Sequence, residues 1–305
     1  MATLGEPLRV LITGIGGFTG RHLTRKLVDN GWTVMGLGHA HDNLSVPTLD
    51  ADLADTDRIA AWLQEQRPTH VVHLAALAHV IGDPLSFYRV NVLGTESLLN
   101  AIEQAHLAPA KVLIASSANI YGNGEAPMLA ESAPVQPMNH YALSKVAMEL
   151  LVRKWYARIP IVITRPFNYT GPGQAESFLI PKIVASHRRR DDVINLGNTQ
   201  VARDFSDISV LCEAYRRLLE SGARGLCVNI CSGRSTSIAE ILQTMEEISG
   251  HKPSVVVDPA LVRKDEVIEL KGDPTLLHSL VGALDRVPMR EILERMYHAT
   301  GHLEA

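Results

Sequence analysis

Arg9-Val10-Leu11-Ile12-Thr13 runs directly into Gly14-Ile15-Gly16-Gly17-Phe18-Thr19-Gly20, and this order decides the fold. The first five residues form a short, mostly apolar run that reads as a buried strand. Three glycines follow at Gly-x-x-Gly-x-x-Gly spacing, and helical periodicity then holds from Arg21 to Asn30, ended by Gly31. Each glycine has a physical task. Gly14 admits the tight turn, Gly17 lets backbone N–H groups approach a pyrophosphate, and Gly20 lets the helix pack close to the strand, with the helix N-terminus facing the anion. Alone the triplet marks only a turn; between a strand and a helix it marks a dinucleotide site.

The same alternation continues outward. Trp32–Leu37 reads as a second strand, Leu49–Leu53 as a third, His70–Ala76 as a fourth, Lys111–Ala115 as a fifth and Ile161–Thr164 as the next. Helical patterns lie between them: Asp55, a suitable N-cap, to Arg67 before Pro68, and Asp83-Pro84 through to Ala105. Alternating strands and helices imply a parallel sheet covered on both faces, a Rossmann-type doubly wound α/β fold. Asp207–Ser221 returns to a helix and Leu226–Ile230 to a strand, so the chain revisits the first domain. The expected division is a dinucleotide domain over 1–166 plus about 205–232, and a smaller α/β substrate-binding domain over about 167–204 plus 233–305.

Composition narrows the function classes. The chain has 305 residues, 46% hydrophobic and 20% charged, with a formal net charge of -4, so neither nucleic acid nor an anionic membrane is an expected partner. The basic run His187-Arg188-Arg189-Arg190 meets Asp191-Asp192 and reads as a solvated helix terminus. No export signal and no long apolar span stand out, and Cys212, Cys227 and Cys231 lack Cys-x-x-Cys spacing, which fits a reducing cytoplasm. The 13 histidines show no metal-ligand spacing; His70 and His73 read as polar residues at strand ends, and no catalytic metal is expected.

At the end of the second strand, Gly38-His39-Ala40-His41 stands where NAD-binding chains often carry an acid against the ribose. Without that carboxylate a 2′-phosphate is not repelled, and Arg21 and His39 are cations placed to meet one. NADP(H) is therefore favoured, and Asp42 leaves NAD(H) open. Asp52-Leu53 is placed to meet adenine, while Leu74, Ala75 and Ala76 are small enough for a cofactor to pass close to backbone.

The fifth strand leads into Ser116-Ser117-Ala118-Asn119-Ile120-Tyr121-Gly122, whose hydroxyls face the carboxyl end of the sheet, where ligands gather. Downstream, Tyr141-Ala142-Leu143-Ser144-Lys145 places a phenol and an ammonium one helical turn apart. A free phenol ionises near pH ~10, so it is a poor proton carrier at neutral pH unless a cation such as Lys145 stabilises its phenolate.

Taken together, Thr13-Gly14-x-x-Gly17-Phe18-x-Gly20, His73-Leu74-Ala75-Ala76, Asn91-x-x-Gly94-Thr95, Ser116-Ser117-x-x-x-Tyr121-Gly122 and Tyr141-x-x-x-Lys145 resemble the extended short-chain dehydrogenase/reductases, in particular the nucleotide-sugar enzymes. That resemblance implies that Ser117 and Tyr141 hold the reacting oxygen, that Tyr141 transfers the proton and that Lys145 binds the nicotinamide ribose. It also implies a homodimer formed through the helix after Pro84 and the helix carrying Tyr141.

In the second half, Arg165-Pro166-Phe167-Asn168-Tyr169-Thr170-Gly171-Pro172-Gly173 is similar to sugar-nucleotide relatives in which the match to Asn168 meets substrate phosphates. Phe178 and Lys182 fall at the start of a helix resembling one that covers the substrate. Arg203, in Arg203-Asp204-Phe205, offers a bidentate diphosphate clamp or else a structural pair with an acid. Arg263-Lys264-Asp265-Glu266 resembles the branch acting on GDP-mannose and its 6-deoxy-4-keto derivative, which implies diphosphate contact for Arg263 and ribose contact for Glu266. The family's Gly-Trp-x-Pro near the C-terminus is replaced by Leu284-Asp285-Arg286-Val287-Pro288.

Absent residues discriminate between reactions. Elimination of water across C5–C6 requires an acid and a base beside the serine turn, and Ala118 and Asn119 cannot exchange a proton. No cysteine stands near that turn for epimerisation beside a ketone. What remains is NAD(P)H-dependent reduction of the C4 keto group of a GDP-4-keto-6-deoxy-hexose, giving GDP-D-rhamnose or its C4 epimer. An NAD-dependent 4-epimerase is the first alternative, and a non-catalytic dinucleotide-sensing protein a more distant one.

Overall fold

The computed structural model describes residues 8–38, 45–78, 83–124, 126–259 and 268–299. Strand β1 (Arg9–Thr13) enters α1 (Phe18–Asp29), and β2 (Thr33–Gly38) and β3 (Thr48–Asp50) follow. Next come α2 (Thr56–Gln66), β4 (His70–His73), a short α3 (Leu85–Tyr88), a π-helical segment over Arg89–Leu93, and α4 (Gly94–Gln104). Strand β5 (Lys111–Ala115), helix α5 (His140–Arg153) and strand β6 (Ile161–Pro166) complete the first run.

These strands and the later strand Leu226–Ile230 form one seven-stranded sheet, ordered Leu226–Ile230, β6, β5, β4, β1, β2, β3. All of its pairings are parallel. The alternation of β1 explains its central place. Val10 and Ile12 pack on one face with Leu23 and Leu27 of α1, whereas Leu11 packs on the other with Ile59 and Leu63 of α2 and Leu98 of α4. Each such leucine, fully withdrawn from water, contributes about 1.5–3 kcal/mol. The strand order reverses between β1 and β4, which opens a crevice at their carboxyl ends.

Beyond β6 the chain forms β7 (Asn168–Thr170), α6 (Leu179–Arg189), β8 (Val193–Leu196), β9 (Ala202–Arg203), β10 (Phe205–Asp207) and α7 (Ile208–Glu220). After the seventh sheet strand, β11 (Leu226–Ile230), come β12 (Thr236–Ser237), α8 (Ile238–Ser249), β13 (Ser254–Val257), β14 (Glu269–Leu270), α9 (Thr275–Val281) and α10 (Met289–His298). A separate apolar cluster joins Ile183 of α6, Ile194 of β8, Ile241 of α8 and Leu293 of α10. Helix α10 follows directly on Pro288, and its Arg295 pairs with the buried Asp207 carboxylate at 2.5 Å.

Several sequence expectations need adjustment. The third strand ends at Asp50 and the fourth at His73, because Asp52 turns onto the amide of Ala54, and after a last backbone bond from Leu74 to the Thr13 carbonyl the amides of Ala75 and Leu77 are held by the side chains of Thr13 and Asn91. The single helix expected after Pro84 is interrupted by the π segment. His187 is not solvated with its basic neighbours: it is fully buried, its Nδ1 bonded to Ser249 at 2.9 Å, while Arg189 reaches Glu176 and Asp191. No helix among the described residues is long and apolar enough to cross a membrane.

Candidate active site

The glycine loop is built as its spacing requires, with one difference of detail. Gly14 sits at φ +67°, and a Cβ there would lie 2.8 Å from the backbone of Ala75. On Gly20 a Cβ would lie 2.3 Å from the carbonyl oxygen of Ile15 and 2.5 Å from that of Gly14, so this glycine lets α1 close onto the loop rather than onto the strand. The Gly17 amide donates to the Gly14 carbonyl at 3.1 Å. The amides aimed outward are those of the first turn of α1, beginning at Phe18 and Thr19, which an α-helix leaves without internal partners. An anion fits such a cradle. Arg21 lies beside it, its Nε donating to the Gly16 carbonyl at 2.8 Å.

Opposite the loop, Thr13 donates to His73 Nδ1 at 2.7 Å, and His73 Nε2 meets Thr95 at 2.9 Å. Thr95 spends its own proton on the Asn91 carbonyl, so Nε2 must carry the histidine's hydrogen. Burial, then the Lys145 charge, lowers His73 to about 3, and the ring stays neutral. Asn91 bonds both the amide and the carbonyl of Leu77 and reaches Ser144 at 3.0 Å. It thereby ties the Leu74-Ala75-Ala76 passage to α5. Leu53 lies buried against Gly94, and Asp52 is exposed beside it.

The serine turn and α5 meet at the same end of the sheet. Ser117 caps a 3₁₀ turn over Ala118–Tyr121, accepting from the Asn119 amide at 3.1 Å. Asn139 caps α5 in the same way, through the amide of Ala142 at 2.9 Å. Burial pushes the Tyr141 phenol up to about 12, outweighing the Ser117 side chain, which favours the phenolate. The proton thus stays on Tyr141 at neutral pH. Lys145 is buried, donates to the Ala115 carbonyl at 2.8 Å, and is lowered to about 8 by its desolvation, with Glu149 opposing the shift. Burial is the largest influence on the phenol.

Two further residues escaped the sequence reading. Arg165 grips Glu149 through Nε at 3.0 Å and Nη2 at 2.7 Å, both side chains nearly inaccessible to solvent. Removing one member of a buried pair leaves a bare charge and typically costs about 3–5 kcal/mol. Glu149 continues the helical step of Tyr141 and Lys145, the one signal that could have found it; its partner on β6 leaves none in the sequence.

Of the expected substrate contacts, Asn168 begins β7 at the surface and Phe178 caps α6 with 37% of its surface exposed. Lys182 is engaged with the Asn195 carbonyl at 2.6 Å. Arg203 donates to the carbonyls of Ala202 and Ile268. Its neighbour Asp204 is buried and accepts from Ser232, Gly233 and Gly272, knitting three loops together. His39, Arg263 and Glu266 lie outside the described residues. The segment after Asn168 is sewn to α1: Tyr169 bonds Thr19 at 2.8 Å and stacks near Phe18, and His22 meets the Pro172 carbonyl at 2.9 Å.

A doubly wound sheet, a glycine cradle at its switch point and a Ser-Tyr-Lys constellation opposite define an extended short-chain dehydrogenase/reductase. Residues 11–296 match the family described as GDP-mannose 4,6 dehydratase, and the chain belongs to that family. A GDP-6-deoxy-D-talose 4-dehydrogenase from Aggregatibacter actinomycetemcomitans is 36% identical over 95% of this chain and 97% of its own. A GDP-6-deoxy-D-mannose reductase from Pseudomonas aeruginosa is 32% identical over 93% of this chain and 94% of its own. The solved structure of RMD from Pseudomonas aeruginosa, complexed with NADPH, superimposes with a TM-score of 0.84 at 29% identity, covering 95% of this chain and 97% of that one.

Proposed function

We propose that this protein reduces the C4 keto group of a GDP-4-keto-6-deoxy-hexose, producing GDP-D-rhamnose or its C4 epimer. The observation that carries the reading is the meeting of Ser117, Tyr141 and Lys145 beside a turn whose next residues are a buried Ala118 and an exposed Asn119. That set can move a proton at one oxygen but has no acid and base for dehydration, although the family takes its name from a dehydratase. The two curated relatives support the substrate class, since both names place the chemistry on a GDP-6-deoxyhexose.

The glycine cradle and Arg21 suit a nicotinamide dinucleotide, which when bound supplies the hydride. NADP(H) is the favoured form, with NAD(H) open. Ser117 hydrogen-bonds the C4 oxygen, and Tyr141 gives it a proton as negative charge develops. The raised phenol pKa keeps that proton in place until it is needed. Lys145, fixed on the Ala115 carbonyl, keeps a positive charge near the site and is placed for the nicotinamide ribose. Arg203, with Arg263 and Glu266, takes the GDP end. Oxidation of NADPH or NADH by the purified protein with GDP-4-keto-6-deoxymannose tests the reading; silence with both reductants, or turnover without added reductant, would favour the 4-epimerase.

A homodimer through α3, the π segment and α5 is part of the proposal. Leu85, Leu93, Leu143 and Leu150 stand 45–61% exposed along these helices, and Tyr88 bonds His140 across them at 3.0 Å. Leu150→Glu is expected to convert a dimer to a monomer in light scattering after size exclusion. A wild-type protein already monomeric at assay concentration would sink this part.

A further inference from the structure

We propose that Arg165 is a positioning residue, closing a buried ring of contacts that fixes the serine turn against the catalytic helix. The inference rests on the reading of Ser117, Tyr141 and Lys145 given above. Besides gripping Glu149, Arg165 donates through Nη1 to the hydroxyl of Tyr121 at 2.9 Å and to the carbonyl of Glu131 at 2.9 Å. Tyr121 passes its own proton to Asn229 at 2.7 Å, and both are completely buried.

The ring can be followed residue by residue. Ser117 begins the 3₁₀ turn and Tyr121 ends it. From Tyr121 the path crosses to Arg165 and then to Glu149. Glu149, Lys145 and Tyr141 follow at steps of four residues along α5, one face of the helix. Ser117 stands beside Tyr141, whose phenolate its side chain favours, and the path closes there. A planar guanidinium is needed at the crossing because a carboxylate and a phenol must be gripped from one rigid fork. If the fork loosens, the serine turn and α5 can drift apart while the glycine cradle, on the other side of β4, keeps its shape.

The test uses Arg165→Lys, which keeps the charge but not the fork, and Glu149→Gln, which keeps the shape but not the charge. Each is assayed as the full-length protein for kcat, KM and coenzyme binding, and by hydrogen exchange. For Arg165→Lys the expected result is a loss of about 10²-fold in kcat, the effect of a misplacement near 1 Å, with coenzyme affinity unchanged. Amide exchange should accelerate in residues 117–122 and not in β1. For Glu149→Gln the alkaline limb of kcat/KM should move to lower pH. Lys145 then loses the carboxylate whose charge raises it, while His73, facing it from β4, stays neutral. Folded Arg165→Lys with wild-type kcat and unchanged exchange in 117–122 would overturn the proposal. Wild-type protein that turns over no 4-keto nucleotide sugar would defeat the functional reading instead, and exchange in 117–122 would still decide the ring.

Discussion

Tyr141→Phe is expected to lower kcat for ketone reduction by about 10³-fold, within the range contributed by a positioned general acid. The substitution removes only the hydroxyl. The aromatic ring remains against Phe87, with centroids 6.1 Å apart, and α5 keeps its Asn139 cap, so folding and coenzyme affinity should persist. What disappears is the proton that burial holds in place up to about pH 12. Single-turnover kinetics on the purified variant would separate this loss from slower product release. A variant with near wild-type kcat would show that another group, or water, protonates the substrate oxygen.

Gly20→Ala is the second large effect, and it acts on binding rather than chemistry. One methyl group placed 2.3 Å from the Ile15 carbonyl oxygen and 2.5 Å from that of Gly14 must push α1 away from the loop. Both obstacles are backbone and cannot rotate aside. The displaced helix carries the first-turn amides with it, and through Thr19 and His22 it also pulls on Tyr169 and Pro172. Coenzyme affinity should fall by about 10²-fold, roughly 2.7 kcal/mol, with a lowered melting temperature. Fluorescence quenching of reduced coenzyme measures it, and affinity within a factor of two of wild type would contradict the role assigned to Gly20.

Why some of this was legible in the sequence follows from the length scale of each signal. Val10, Leu11 and Ile12 form an apolar run because β1 is covered on both faces, and Gly14 and Gly20 answer local steric demands, so both leave marks within a few residues. The spacing of Tyr141 and Lys145 repeats the helical period and is equally local. The two-residue strands at Ala202, Thr236 and Glu269 carry no period, since each is held by partners from distant segments. His187 looked solvated because three arginines follow it, yet α6 turns its ring inward toward Ser249 while Arg189 faces out. Arg165 reads as the end of a strand, and its meaning depends on Glu149 and Tyr121 reaching it from two other elements. Long-range polar pairing has no sequence period, and the site's supporting groups were therefore the least visible.

The central claim is that reduction occurs at C4 of the sugar with the proton supplied by Tyr141. It is tested most directly by incubating the protein with GDP-4-keto-6-deoxymannose and reduced coenzyme deuterated at the transferring position, then locating deuterium in the product by NMR. The account predicts deuterium at C4 of a GDP-6-deoxyhexose, with one coenzyme oxidised per product molecule, and its configuration would identify GDP-D-rhamnose or the C4 epimer. A product altered at C4 without deuterium and without net coenzyme oxidation would contradict the account.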